Sequence, residues 1–384
     1  MTVENKLEVK KEIYMWAIEE SRKDFEEIKS KFNRIEDWIS QNSYPTFRQL
    51  EKLSNFLKVP LGYMFLDQPP NTNILESEFR TIGNKMPDIS KELQDTLYNM
   101  SRKRDWVSEY RKDNGWDKII PDDFHSLNKK DYKIICQEAK KFLDLDEFWY
   151  KEIKDDRLAY NYLREKLENK GIIVMQSGIV GSNNHRRLNL NEFRGFMLYD
   201  SFAPLIFINS NDSKTGKIFT LIHEYIHILF QEDDIFIHEY SIDDNKTEIQ
   251  INKITAEFLM PLSHIKKLWN NRKDEMQQVE EFSKLFHVSK LAMAIRLKEI
   301  GIITQNIVDS IMEIMSMDLE NKVPDSNGGD YYATHKSRYG KSFIKTVIQG
   351  AESGDISYTY AFNLLDGTAK TYDYYKEEIM YYGK

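Results

Sequence analysis

The segment Leu221-Ile222-His223-Glu224-Tyr225-Ile226-His227-Ile228-Leu229-Phe230 places two histidines and a glutamate in a run that is otherwise uncharged and largely apolar. On a helix, residues four apart lie on one face. His223 and His227 therefore present two imidazoles side by side, and that spacing lets two ring nitrogens grip one zinc ion at about 2.0–2.1 Å each. Glu224 is not needed as a ligand, yet it can reach a water held by the metal. Zinc lowers the pKa of such a water toward about 7, and a carboxylate beside it takes the proton as the water attacks a polarised carbonyl. The competing reading is a core helix whose histidines are satisfied by backbone or carboxylates. Two histidines at this spacing around this glutamate, directly after a β-branched run, favour the metal.

A catalytic zinc takes three protein ligands and leaves one position open. Two residues compete for the third place. Asp233 lies six residues past His227, but a ligand there needs a sharp turn that a glycine at 230 would supply, and Phe230 occupies that position. Glu248 is the favoured candidate. It opens Thr247 to Ala256, which reads as a second helix, and Asn252 lies one turn further along. An amide there is expected to accept a hydrogen bond from a ligating imidazole.

The single cysteine, Cys136, excludes both a disulfide framework and a thiolate zinc cage. The net charge of -8 arises from interspersed acids and bases and gives no general pull toward nucleic acid or anionic membrane. No apolar run approaches the roughly 20 residues that cross a bilayer, and Met1 to Glu20 has no signal-peptide core. The expectation is a soluble cytoplasmic protein without a membrane partner. With 384 residues, it should comprise more than one unit.

Periodicity predicts an α+β, mainly helical chain. Residues 1–70 read as a cluster of short helices. Among them is a helix through Leu50, Leu53 and Leu57 with Thr46 as N-cap, followed by a short helix over Val59 to Leu66. Residues 71–156 form a helical linker region that includes helical spacing over Ser90 to Tyr110 and Lys130 to Leu143. Residues 157–265 form the core around the motif. Arg157 to Lys170 is helical there, and short strands are expected at Ile172 to Met175, Phe193 to Tyr199 and Pro204 to Asn209. They lead into a helix over Lys214 to Phe230. Residues 266–320 form a helical, helix-turn-helix-like unit in which Ser289 is an N-cap and Gly301 a stop. A loop over Asn321 to Asp330 opens the Tyr-rich helical tail, 321–384.

Four stretches together resemble the ImmA/IrrE family of zinc metallopeptidases. They are Arg194-Gly195-Phe196, Pro204 to Asn209, Phe219 to His227, and Glu248 with Asn252, Ala256 and Leu259-Met260-Pro261. The resemblance spans about 157 to 300. It implies a compact zincin-like fold of gluzincin type, with zinc on His223, His227 and Glu248 and with Glu224 as general base. Pro45 to Leu53 and Pro60 to Leu66 resemble the helix-turn-helix domain of XRE-type regulators, a pairing seen in the family. The segment in the recognition position, Asn33 to Ile39, carries Glu36 and Asp37, which would face phosphates unfavourably. Protein docking is therefore expected there in preference to DNA reading.

An extended substrate is expected to add to a strand, with Leu205, Phe207 and Asn209 of the strand before the motif as the surface. Arg194 and Tyr225, with Arg186 and Arg187, are further candidates for contacting substrate or stabilising the transition state. The resemblance implies limited proteolysis of a protein partner, a helix-turn-helix repressor, antitoxin or toxin encoded nearby. The alternative is an antitoxin-like or DNA-binding regulatory protein in which the peptidase fold is a scaffold.

Overall fold

The computed structural model describes residues 6–21, 23–57, 59, 61–69, 89–122, 124, 126, 131–231, 246–320 and 330–381. Contacts divide the chain into two compact units, residues 1–80 and 81–384.

The first unit is helical: α1 Lys11–Ser21, α2 Phe25–Lys31, α3 Ile35–Ile39 and α4 Phe47–Leu57, then a 3-10 turn at Leu61–Phe65. Ile13, Ile28, Ile35, Leu50, Leu53 and Leu57 are fully buried in one cluster, each on the inward stripe of its helix. Thr46 caps α4 reciprocally. Its backbone N–H donates to Gln49 Oε1 at 2.9 Å, and Gln49 N–H donates to Thr46 Oγ1 at 3.4 Å. In the segment from Asn33, the helix begins only at Ile35, and Glu36 accepts a hydrogen bond from Lys29 Nζ at 2.8 Å. Of the expected helical linker region 71–156, residues 71–88 lie outside the described residues.

The second unit begins with α5 Lys91–Asp113, whose N-cap Ser90 accepts from Leu93 N–H, and α6 Tyr132–Phe142. A 3-10 turn at Trp149–Glu152 and α7 Asp156–Asn169 follow. The strands are β1 Ile173–Ser177, β2 Ile179–Val180, β3 Asn183–Arg187, β4 Gly195–Leu198 and β5 Leu205–Asn209. β1, β5 and β4 form one sheet in that order. β1 runs parallel to β5, pairing Ile173 with Leu205 through Ser177 with Asn209. β4 runs antiparallel to β5, pairing Gly195 with Ile208 through Leu198 with Leu205. β2 and β3 make a separate antiparallel hairpin that periodicity does not foretell, since β3 reads Asn-Asn-His-Arg-Arg and is largely exposed.

This order corrects one expectation. β5 is the central strand, and both of its edges already carry ladder partners, so it is closed to an added strand. Leu205, Phe207 and Asn209 are buried, with Phe207 stacked on Phe196 at 5.0 Å between centroids. The sheet ends at β1 and β4, and at β1 the carbonyl of Val174 is already bound by the Arg164 guanidinium.

Beyond the sheet lie α8 Lys214–Phe230, α9 Lys246–Leu259, α10 Leu262–Leu268, α11 Glu275–Leu285, α12 Lys290–Glu299 and α13 Gln305–Glu320. The tail adds α14 Tyr331–Tyr339, α15 Lys341–Glu352, α16 Tyr358–Leu364 and α17 Ala369–Tyr381. Ser289 caps α12 by accepting from Ala292 N–H at 3.0 Å, and Gly301 takes the left-handed φ of +73° that stops it. Of the expected loop over 321–330, only Asp330 is described. Val174, Met197, Ile206 and Ile208 turn one sheet face into the main core, where they join Leu221, Ile222, Ile226 and Leu229 of α8. Among the described residues, no helix is long and apolar enough to cross a membrane.

Candidate metal centre

Helix α8 is apolar around most of its circumference, so it runs through the core. Thr220 to Phe230 are all buried. Ser213 Oγ caps the helix by accepting from Gly216 N–H at 3.0 Å, and Gln231, in the left-handed conformation at φ 56°, ends it. Gly195 sets the sheet against this helix. A Cβ at that position would lie 2.5 Å from Thr220 Cγ2 and 2.9 Å from the Phe207 carbonyl oxygen, so only glycine lets β4 approach this closely.

One turn apart on α8, His223 and His227 bring their Nε2 atoms to 2.9 Å, and both rings are fully buried. Helix α9 packs along α8 and delivers Glu248 from its first turn. Glu248 Oε1 lies 3.1 Å from His227 Nε2 and Oε2 lies 3.5 Å from His223 Nε2. Burial of Glu248 disfavours its ionised form. The hydrogen bonds and charge of the two imidazoles outweigh that, and its pKa is held below the usual carboxylate range. His223, His227 and Glu248 each offer a donor atom, and these atoms all lie within 4.8 Å of one another. Tetrahedral zinc with bonds of about 2.0–2.1 Å separates its ligand atoms by about 3.3 Å. The separations, taken to Oε1 from His227 and to Oε2 from His223, straddle that value, and the donor set fits such an ion in chemistry. Glu224 is buried on the same turn as His223.

Other predicted residues fall elsewhere. Asn252 is exposed, and no hydrogen bond joins it to either imidazole among the described residues. The inward stripe of α9 runs through Ile251, Ile254, Thr255 and Phe258, and Asn252 sits to its solvent side. Tyr225 is a correction. It lies on the opposite side of α8 from the imidazoles, fully buried, and its hydroxyl donates to the Ala139 carbonyl at 2.9 Å. That phenol belongs to the core packing between α8 and α6, where burial raises its pKa well above the usual value. Arg194 pairs with the buried carboxylate of Asp212 at 2.8 Å. Arg186 is tied to Glu92 and Asp95 of α5. Asn209 donates to the Phe193 carbonyl and accepts from Asn211 N–H, which makes it a corner post after β5. Asp233 lies outside the described residues.

Residues 167–298 match the model of the IrrE N-terminal-like domain, Peptidase_M78. The match supports the likeness of that segment to the ImmA/IrrE family. The matched span holds His223, Glu224, His227 and Glu248 together with all of β1 to β5, and it supports a metallopeptidase-like function. No curated protein matches the chain.

Proposed function

We propose that this chain is a zinc-dependent endopeptidase that cuts a protein partner at one or a few positions, as a regulatory event. The convergence of His223, His227 and Glu248, with donor separations of 2.9, 3.1 and 3.5 Å, carries the proposal. Zinc held by these residues would supply a Lewis acid and an acidified water. Glu224 takes the proton of the attacking water and returns it to the leaving amine. α8 and α9, both packed into the core, hold the imidazoles and the carboxylate in place before substrate arrives. Three protein donors among the described residues suit a catalytic ion better than a structural one, which is closed by four. We take Glu248 as the third ligand in preference to Asp233.

An extended substrate pairs along β4, since β5 is internal. Main-chain pairing is indifferent to sequence, so selectivity comes from docking on the helical modules, which raises the local concentration of one partner. The partner we propose is a helix-turn-helix repressor, antitoxin or toxin encoded beside this chain, with residues 1–70 contributing protein docking ahead of DNA reading. The test mixes purified full chain, zinc and the neighbouring gene product and follows the partner by mass spectrometry. One or a few cuts are expected, with none from Glu224→Gln. Removing residues 1–70 should slow cleavage of the partner more than cleavage of a short peptide spanning the cut. Rapid digestion of unrelated unfolded proteins, or equal loss on both substrates, would overturn the docking model.

A further inference from the structure

A large cavity in the second unit lies away from the imidazoles, between α7, the start of α8, and α14 with α15. Its volume is about 1230 Å³, at the upper end of ordinary small-molecule sites, which run to roughly 1,000 Å³. Nine basic side chains line it against two glutamates, Glu165 and Glu168, in a chain that is acidic as a whole. Four of the nine are already engaged. Arg164 pairs with Glu168, Lys170 with Asp144 and Lys336 with Glu378, while Arg111 donates to the carbonyls of Gly171 and Phe202. The other five, Arg157, Lys214, Lys217, Lys341 and Lys345, have no carboxylate within ion-pair distance among the described residues.

Asp155 lies near Arg157 and Lys214, and Asp212 near Lys217, but the five cations around the cavity outnumber these carboxylates and none of the five is held in an ion pair among the described residues. They repel one another, and an anion relieves that repulsion. Lys217 shows the tension most clearly. It is half-buried over the Tyr160 ring at 4.9 Å and, among the described residues, donates only to Gln176 Oε1 at 3.3 Å. Burial and the neighbouring Arg164 and Lys214 lower its pKa, outweighing the opposing charge of Asp212. Lys214 and Lys217 also sit on the first turn of α8, where the helix dipole adds positive potential. The walls are fixed. A Cβ at Gly340 would meet Glu168 Oε1 at 2.4 Å, Arg164 at 2.7 Å and the Val174 carbonyl at 2.9 Å, so the α14–α15 junction is seated directly on α7 and β1. At the rim, Trp116 exposes 47 % of its surface and offers a flat face for stacking.

We propose that this cleft binds a nucleotide-sized phosphorylated small molecule, with its phosphates among Arg157, Lys214, Lys217, Lys341 and Lys345. Isothermal titration of the full chain with ATP, inorganic triphosphate and a single-stranded oligonucleotide tests this. ATP or triphosphate should bind with a Kd below about 1 mM at physiological salt. The double variant Lys214→Ala/Lys341→Ala alters two exposed side chains and so should keep the fold. It should weaken binding about tenfold or more, while Lys298→Ala, outside the cleft, should bind unchanged. No binding of either small phosphate would overturn the proposal. So would binding that the double variant leaves unaffected, or binding of the oligonucleotide alone, which would make the cleft a nucleic-acid groove.

Discussion

Five buried histidines are described in the second unit, and they fall into two kinds. His264 has both ring nitrogens engaged, Nδ1 with the Tyr150 hydroxyl at 2.8 Å and Nε2 with Glu147 at 2.9 Å. His287 likewise meets Asp156 at 2.9 Å and the Tyr150 carbonyl at 3.3 Å. His335 meets the Tyr375 hydroxyl at 3.0 Å and the Leu365 carbonyl at 2.8 Å. In these three, the partners diverge, one from each side of the ring, and each imidazole links two elements. At His223 and His227 the same nitrogen of both rings turns to one point, which Glu248 also faces. A carboxylate beside a buried imidazole is thus common to both kinds. Convergence of three donors is what separates the candidate metal centre from a structural histidine.

The largest effect that would sharpen this contrast is on turnover. Glu224→Gln should slow peptide cleavage by about 10²–10⁴-fold while the metal and the melting temperature are kept. A variant that cleaves at the unmutated rate would remove Glu224 from the chemistry. At the structural histidines the expected loss is in stability. His264→Ala and His287→Ala should each cost about 1–2 kcal/mol, mainly by leaving the buried Tyr150 hydroxyl or carbonyl without its partner, read by chemical denaturation, with metal content unchanged. Loss of metal from either would break the distinction. Gly195→Ala should cost about 1–2 kcal/mol because a methyl is forced against Thr220 and the Phe207 carbonyl. An unshifted denaturation midpoint would show that β4 has room to move.

The smallest effect is on the pH dependence of folding. Burial lowers the His335 pKa below its unfolded value of 6.5. The unfolded chain therefore binds the proton first. The stability from neutral His335 is present above pH 6.5 and is lost as pH falls from there toward the folded value. Melting temperature should decline over that window, and His335→Phe should flatten the decline. An unchanged slope would assign it to other groups.

The motif and its helix were legible because the signal is contiguous. Residues 214–230 show an uncharged flank and an i, i+4 pair, and the helix spans that range. Glu248 was legible as the first turn of the next helix. Spatial order was not. β5 follows β4 in the chain, yet a parallel pairing with β1 makes it internal, and no local pattern states which strand ends at an edge. Asn252 was misplaced by one helical step, because a full i+4 advance from Glu248 rotates past the inward stripe that Ile251 and Thr255 follow. The basic cleft left no trace in the sequence. Its five unpaired cations are spread from Arg157 to Lys345, and only folding gathers them.

Zinc content measured by elemental analysis, chain by chain across the histidines, tests the central claim most directly. The unmutated protein should hold about one zinc per chain. His223→Ala, His227→Ala and Glu248→Ala should lose it, while His264→Ala and His287→Ala should keep it. Unmutated protein that takes up no zinc on reconstitution, or His223→Ala protein that still holds one, would contradict the assignment of this site.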